Sequence, residues 1–458
     1  MNGYKMKIQQ PKAQTRTSFL SLLLFCAIAL SGCSTVGGWF DGDDKTRLEG
    51  ERISVLELQK TLEPESRALD AQGFVAPAPW RNEFWPQAGG YPNHAMQHLA
   101  LNEGGLAQIW TSSIGRGSTK ALPLTAQPIV VDGRVFTLDT DSKLSAFNAE
   151  NGERIWRVDV KDKAEDDPVI GGGVAYSRGR LFVTNGYDEI LAINPDDGAE
   201  IWRQTITAPS RAAPTVMNER VFVVTLDNRV LALSAETGES LWDYSGVAEM
   251  AGLIGAASPA ASRDVLIPVF SSGDIVAMRV ENGSVAWTEN LSTFSAQGGL
   301  SAISDIRGLP VIDKGLVIAI SFGGRMVAID ERTGTRIWQR DIAGAETPWV
   351  AGNHLFVITT DNELVALGRD NGVIRWVSEL PRYENMEKRK DSVFWTGPLL
   401  AGERLIAVSS GGMMLEIEPI GGTMIRQTDI KKSVRIAPVI AGSTLYMLAE
   451  DGTLMAYR

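Results

Sequence analysis

One spacing recurs along this chain and limits what it can fold into. Six segments share Gly-x-x-x-Trp, at Gly152/Trp156, Gly198/Trp202, Gly238/Trp242, Gly283/Trp287, Gly334/Trp338 and Gly372/Trp376. Six residues before each glycine stands an alanine: Ala146, Ala192, Ala232, Ala277, Ala328 and Ala366. Eighteen residues before most of these alanines stands a proline, at Pro128, Pro214, Pro259, Pro310 and Pro348. In the second unit Pro168 lies twenty-four residues before Ala192, an insertion of six around Gly171-Gly172-Gly173. A seventh unit keeps the register as Pro398, Glu416, Gly422 and Arg426, and an eighth has Pro438 and Ala456 before Arg458. The unit is therefore Pro-x17-Ala-x5-Gly-x3-Trp, present eight times. Self-similarity at this period marks a repeat architecture in which no unit can bury its faces alone.

Each unit reads as four short strands. In the first, Pro128 to Val131 is followed by an Asp132-Gly133 turn and then Arg134 to Leu138. The polar turn 139–142 leads to Leu144 to Asn148, and Asn151-Gly152 introduces Glu153 to Val158. Aliphatic alternation bounded by Asp-Gly and Asn-Gly is a hairpin signal, because those residues tolerate positive φ. Proline has no N–H for a ladder, so it belongs at the start of an edge strand, here the innermost. The chain is read as all-β, an eight-bladed β-propeller of four-stranded antiparallel blades spanning 106–458.

The tryptophan column, counting Trp110, is read as structural: an indole on the outermost strand needs a small residue opposite it to lie flat between blades. The seventh unit replaces both members of the pair at once, and a partly buried Glu416–Arg426 ion pair is expected there. The eighth unit lacks its outermost strand, while 106–110 at the other end matches the strand that follows each glycine. Pairing the first strand with the last three closes the ring and removes two exposed edges.

The N-terminus carries a different message. A basic stretch ends at Arg16, and an apolar run from Phe19 to Leu30 leads to Leu30-Ser31-Gly32-Cys33. The run is too short to span a bilayer. Residues 1–32 read as a signal peptide, and the four residues ending at Cys33 resemble a bacterial lipobox. The resemblance implies acylation of Cys33, and Ser34 after it implies sorting to the outer membrane. The only other cysteine, Cys26, lies in the segment to be removed, which leaves no thiol for a disulfide, a metal or a nucleophile. Removing residues 1–32, with four cations and no carboxylate, takes the formal charge from −11 to −15. So acidic a body repels phosphate backbones, and nucleic acid is not an expected partner. Residues 33–105 are read as a lipidated N-terminus, a short helix within 44–70 and a Pro-rich tether.

The Ala-x5-Gly-x3-Trp unit resembles the repeat of quinoprotein dehydrogenases. With the lipobox, eight units and no cysteine pair, the chain resembles more specifically the BamB family of outer-membrane β-barrel assembly lipoproteins. That resemblance implies a non-enzymatic scaffold that binds the periplasmic POTRA domains of BamA and assists folding and insertion of outer-membrane proteins. A membrane-tethered dehydrogenase using pyrroloquinoline quinone, or a scaffold of another envelope complex, are the alternatives. The dehydrogenases use calcium, an Asp base and adjacent cysteines. No cysteine pair exists here and no carboxylate spacing singles out a calcium set. His94 and His98 have an i, i+4 spacing, but in a Pro/Gly-flanked segment that does not read as a metal-binding helix. No cofactor, metal or catalytic residue is assigned.

Connections between units vary where those within units do not. From each Trp or Arg to the next proline the intervals are 12, 12, 17, 23, 10, 22 and 12 residues. All run from an outer to the next inner strand and so share one face of the disc, where insertions are tolerated and carry function. The resembled family bears a Leu-x-Leu-Arg run before its fourth-unit proline and Ser-Asp-x-Asp before the fifth. Here these read Ala251-Gly252-Leu253-Ile254 and Ser304-Asp305-Ile306-Arg307. The resemblance therefore implies partner binding at Leu253, Ile254, Asp305 and Arg307, with Leu253 and Asp305 retained and the charge at Arg307 reversed. Strand edges on this body could also receive an unfolded client strand.

Overall fold

In a computed structural model the described residues are 62–65, 74–161, 168–247, 256–292 and 305–458. The signal segment, Cys33 and most of the expected helix lie outside them. Eight four-stranded antiparallel sheets are present, each with its strands in consecutive order except the last. Blade one comprises Ile129–Val131, Arg134–Leu138, Lys143–Asn148 and Arg154–Asp159. Blades two to seven occupy 173–205, 215–245, 260–290, 311–340, 349–379 and 395–429. Blade eight joins Val439–Ala441, Thr444–Leu448 and Thr453–Tyr457 to Gln108–Ser113 from the other end of the chain. The closure expected from the missing last strand is present, with Trp110 opposite Ala456. In blade two Gly171 and Gly172 precede the inner strand, which starts at Gly173 and not at Pro168.

The alanine and tryptophan columns are cross-strand partners throughout, as in Ala146↔Trp156, Ala232↔Trp242, Ala277↔Trp287 and Ala366↔Trp376. A bulge follows the alanine in each of these pairs. The reason for the alanine is visible one strand further in. Phe136 pairs with Ala146, which pairs with Trp156, and the two rings meet over the alanine at 5.8 Å between centroids. Phe182/Trp202, Phe222/Trp242, Phe356/Trp376 and Tyr446/Trp110 repeat this at 5.7–6.0 Å. Such ring pairs contribute about 0.5–1.5 kcal/mol each beyond burial.

Trp287 and Trp338 depart from this arrangement. Eight residues after the blade's proline, where the other tryptophan-bearing blades with that spacing have Phe or Tyr, blade four has Ile267 and blade five Ile318. Trp287, 8% exposed, packs in one apolar cluster with Ala277 and Ile267, and Trp338 does the same with Ala328 and Ile318. The alanine is kept in both blades, so the indole needs the small residue whether its inner neighbour is a ring or an aliphatic chain. These two tryptophans pack by aliphatic contact in place of a ring pair.

Each indole also docks on the next blade. Trp202 Nε1 donates to Ala235 O, Trp287 Nε1 to Glu331 O and Trp338 Nε1 to Arg369 O. The repeat glycine of that next blade follows from the same contact: Gly238 has φ +76, and a Cβ there would lie 2.8 Å from the Trp202 ring. Only glycine combines the left-handed turn with a bare surface for the indole.

Blade seven breaks this pattern as expected. Glu416 is the cross-strand partner of Arg426, whose guanidinium reaches both carboxylate oxygens at 3.3 and 3.4 Å. A second cation completes the site: Arg404, buried at 3% exposure, forms an ion pair with Glu416 through Nε. Its other nitrogens donate to Gly402 O and Gly104 O, tying the blade to the segment that leads into the closing strand.

The extended segment before the propeller is more than a spacer. Over 74–100 it forms a strap across one end of the disc, hydrogen-bonding to every blade in or beside its inner strand. Trp85 and Val130 exchange two backbone hydrogen bonds, Tyr176 N–H donates to Pro86 O, and Gln87 pairs by its amide with both backbone groups of Val216. Ala261 N–H donates to Pro92 O and Ile312 N–H to Asn93 O, while Trp349 Nε1 donates to Gln97 O. Leu99 bonds Leu400 and Gly402, and Asn82 bonds Ile440 and Gly442. Trp85, Met96 and Leu99 are buried beneath it.

Candidate functional site

Among the described residues the strap covers one end of the disc, and the axial cavity is approached from the other. That end carries the outer-to-inner connections, including the long ones picked out from their lengths. Of these, the parts 248–255 and 293–304 lie outside the described residues, and with them Leu253 and Ile254. The third forms a hairpin, Tyr383–Asn385 against Lys390–Ser392, exposed along most of its length. Its base is fixed by Trp395, whose Nε1 donates to Pro381 O, while the neighbouring Phe394 stands 54% exposed.

Asp305 and Arg307 are placed differently from one another. Asp305 is buried at 7% exposure, and its backbone carbonyl accepts from Phe322 N–H. Arg307 is exposed and lines the channel mouth. The mouth opens into a cavity of about 320 Å³ whose floor includes Ala88 of the strap. Its charged groups are Arg211, Arg307 and Arg435 with Glu346 and Glu450. Sequence reasoning singled out only Arg307 among them.

The carboxylates are engaged from within. Glu450 accepts from Arg435 Nε at 3.1 Å and from Ser433 Oγ. Glu346 accepts from Thr396 Oγ1, and burial pushes its pKa up against the opposing pull of Arg307. Arg435 also lies over the Phe394 ring at 4.3 Å, so the mouth is continuous with the hairpin's base. Arg211 is half-buried and makes no hydrogen bond or ion pair among the described residues.

The histidines are used structurally. His94 Nδ1 contacts Pro310 O at 2.7 Å and His98 Nδ1 contacts Pro77 O at 3.0 Å, both within the strap's seat. His354 packs edge-on against Phe74, its Nδ1 on Asn353 Oδ1. Among the described residues no group of three or more His, Cys, Asp or Glu is placed to hold a metal ion.

This fold has known counterparts. The family model described as outer membrane protein assembly factor BamB matches residues 140–378, just over half of the chain. The chain belongs to the BamB family. A second model, the β-propeller domain of glucose, ethanol and alcohol dehydrogenases, matches residues 97–180. The outer membrane protein assembly factor BamB of Yersinia pestis is 23% identical over 357 residues, 76% of this chain and 88% of that protein. An uncharacterized protein of Rickettsia prowazekii is 27% identical over 341 residues, 72% of this chain and 80% of that one. Among solved structures, BamB from Moraxella catarrhalis superposes with a TM-score of 0.66 at 18% identity, covering 77% of this chain and all of that one. Quinohemoprotein alcohol dehydrogenase from Comamonas testosteroni gives 0.63 at 14% identity, covering 82% and 81%. At such identities these superpositions report the propeller alone.

Proposed function

We propose that this protein is a non-enzymatic scaffold lipoprotein of the outer-membrane β-barrel assembly machinery. Anchored through Cys33 at the periplasmic face of the outer membrane, it binds the POTRA domains of BamA and assists folding and insertion of outer-membrane proteins. The observation that carries this reading is the family match over 140–378, which spans the fourth- and fifth-blade connections. On this reading the open face is the partner face. Leu253 and Ile254 supply apolar contact and Arg307 supplies charge. Asp305 acts from beneath, its burial suiting it to hold the connection in place. Such an interface is expected to have a few apolar anchors within a polar rim.

The test is capture of the acylated protein from envelopes with all recovered partners identified. Wild type is expected to recover BamA, and Leu253→Asp combined with Arg307→Asp is expected to lose most of it. Unchanged recovery with the double variant would remove the assignment of this face.

The dehydrogenase-domain match over 97–180 favours a second reading, a quinone-dependent oxidoreductase. The residues present do not fit that chemistry: the chain's only cysteines are Cys26 and Cys33, and the described axial groups are arginines and engaged carboxylates. Mixing the purified protein with the quinone and calcium, then following cofactor absorbance and dye reduction, separates the two. No change in either is expected.

A further inference from the structure

The open mouth is basic although the chain as a whole carries a formal charge of −11. The repeat explains how. The residue three positions before each blade's proline lines the cavity in six blades, as Thr125, Arg211, Ala256, Arg307, Ala345 and Arg435. The three arginines belong to blades three, five and eight of a ring of eight, so they surround the mouth and do not cluster on one side. Two carboxylates stand among them. Glu450 is taken up by Arg435 and Ser433, and Glu346 accepts from Thr396 while facing Arg307. Among the described residues that leaves Arg211 half-buried without a counter-charge and Arg307 exposed beside a partly buried carboxyl.

A guanidinium withdrawn from water without an anion is costly, and an anion from another molecule removes that cost. Among the described residues the strap lies across the far end of the cavity and contributes Ala88 to its lining, so the cavity is approached from the open face. Its volume of about 320 Å³ suits one or two side chains. With Glu450 paired to Arg435, the three arginines outnumber the carboxylates of the mouth, and low-dielectric walls concentrate the net positive field.

We propose that the channel mouth receives a carboxylate from an acidic, extended segment of a protein partner, held between Arg211 and Arg307, with Arg435 at the rim. The inference rests on the reading of the open face as the partner face and names the chemistry that enters its centre.

The test uses the full chain in detergent with fluorescein-labelled hexaglutamate, followed by anisotropy at low ionic strength. Saturable one-to-one binding that weakens with salt is expected. Arg211→Ala with Arg307→Ala is expected to weaken it at least about tenfold, close to 1.4 kcal/mol. The pair Arg211→Lys and Arg307→Lys is expected to retain part of the affinity at unchanged melting temperature, and Arg178→Ala, an exposed cation outside the mouth, to retain all of it. Absence of saturable binding, equal loss with Arg178→Ala, or citrate competing as tightly as the peptide overturns the proposal. Envelope capture keeps the two readings apart. Loss of partner with Leu253→Asp but no hexaglutamate binding removes only this inference. Hexaglutamate binding as described with no BamA captured removes the partner and leaves the mouth's chemistry standing.

Discussion

Glu416 faces Arg426 in the register that other blades fill with alanine and tryptophan, and Arg404 closes on the same carboxylate from the neighbouring strand. The two cations are unequal: Arg404 is 3% exposed and Arg426 39%. Glu416→Gln is therefore expected to cost about 3–5 kcal/mol, because it strands a buried guanidinium. Arg426→Ala is expected to cost at most about 1 kcal/mol. Restoring the repeat with Glu416→Ala and Arg426→Trp should fail until Arg404→Leu is added. Urea unfolding of the four variants orders them.

The repeat glycine pays for more than a turn, and two glycines of equal backbone geometry separate the contributions. Gly179 has φ +77 with open space where a Cβ would be, while Gly238 has φ +76 with the Trp202 ring 2.8 Å away. Gly179→Ala is expected to cost about 1–2 kcal/mol from left-handed strain alone. Gly238→Ala is expected to add about 1–3 kcal/mol for the displaced indole. Denaturant midpoints test the difference, and tryptophan emission should shift only in the second variant.

Acid is expected to loosen the strap. Burial lowers the His94 pKa to about 4, and burial with the neighbouring Arg375 charge lowers that of His354 to about 3. Both imidazoles stay neutral in the folded protein, whereas in the unfolded chain they take up protons near the ordinary value of 6.5. Stability contributed by the neutral rings is thus present above pH 6.5 and drains as pH falls toward 4 and then 3. Urea midpoints measured between pH 7 and 4.5 should decline, and His94→Gln should flatten that decline.

The strap itself should be worth much of the molecule's stability. Trp85 is 1% exposed and its backbone extends blade one, so Trp85→Ala is expected to cost about 3–5 kcal/mol. Hydrogen exchange should then rise at the inner-strand amides the strap covers, such as Ala261 and Ile312.

On the proposed reading of Cys33 as an acylated anchor, Cys33→Ser is expected to move the protein from the membrane to the soluble fraction on cell fractionation, because several acyl chains on one residue anchor stably and none would remain. A variant still found wholly with the outer membrane would show that acylation is not what holds it there.

Much of the fold was legible because a propeller writes its geometry as a period. The eight units, the Ala–Trp register and the closing strand follow from spacing, and Glu416–Arg426 was visible because both columns changed together. The aromatic inner neighbour of the indole was not, because Ile267 beneath Trp287 and Ile318 beneath Trp338 interrupt that column with residues any strand can hold. Arg404 was missed as well, since Arg134, Arg180 and Arg220 fill the same column and reach only toward the next blade's surface or their own turn. The strap escaped for a different reason. Trp80, Trp85, Met96 and Leu99 each seat in different surroundings, so they show no period, and the prolines between them read as a linker. The density of aromatics at Phe74, Trp80, Phe84, Trp85 and Tyr91 was the signal available. At the mouth, Arg211 and Arg435 shared a position relative to proline with Arg307, but a three-in-eight occurrence does not stand out until the fold shows that the position faces the axis.

A polypeptide emerges from synthesis with its N-terminal side first. Here that end holds two pieces with nothing complete to join: a strap that needs inner strands from every sector of the ring, and a strand, Gln108–Ser113, whose mate is Thr453–Tyr457. Neither can be satisfied until blade eight's strands at 439–457 have been made, so a chain terminated before them lacks the seam that closes the disc and part of the strap's seat. The architecture ties closure of the ring to Thr453–Tyr457, and a body without that strand presents open edges.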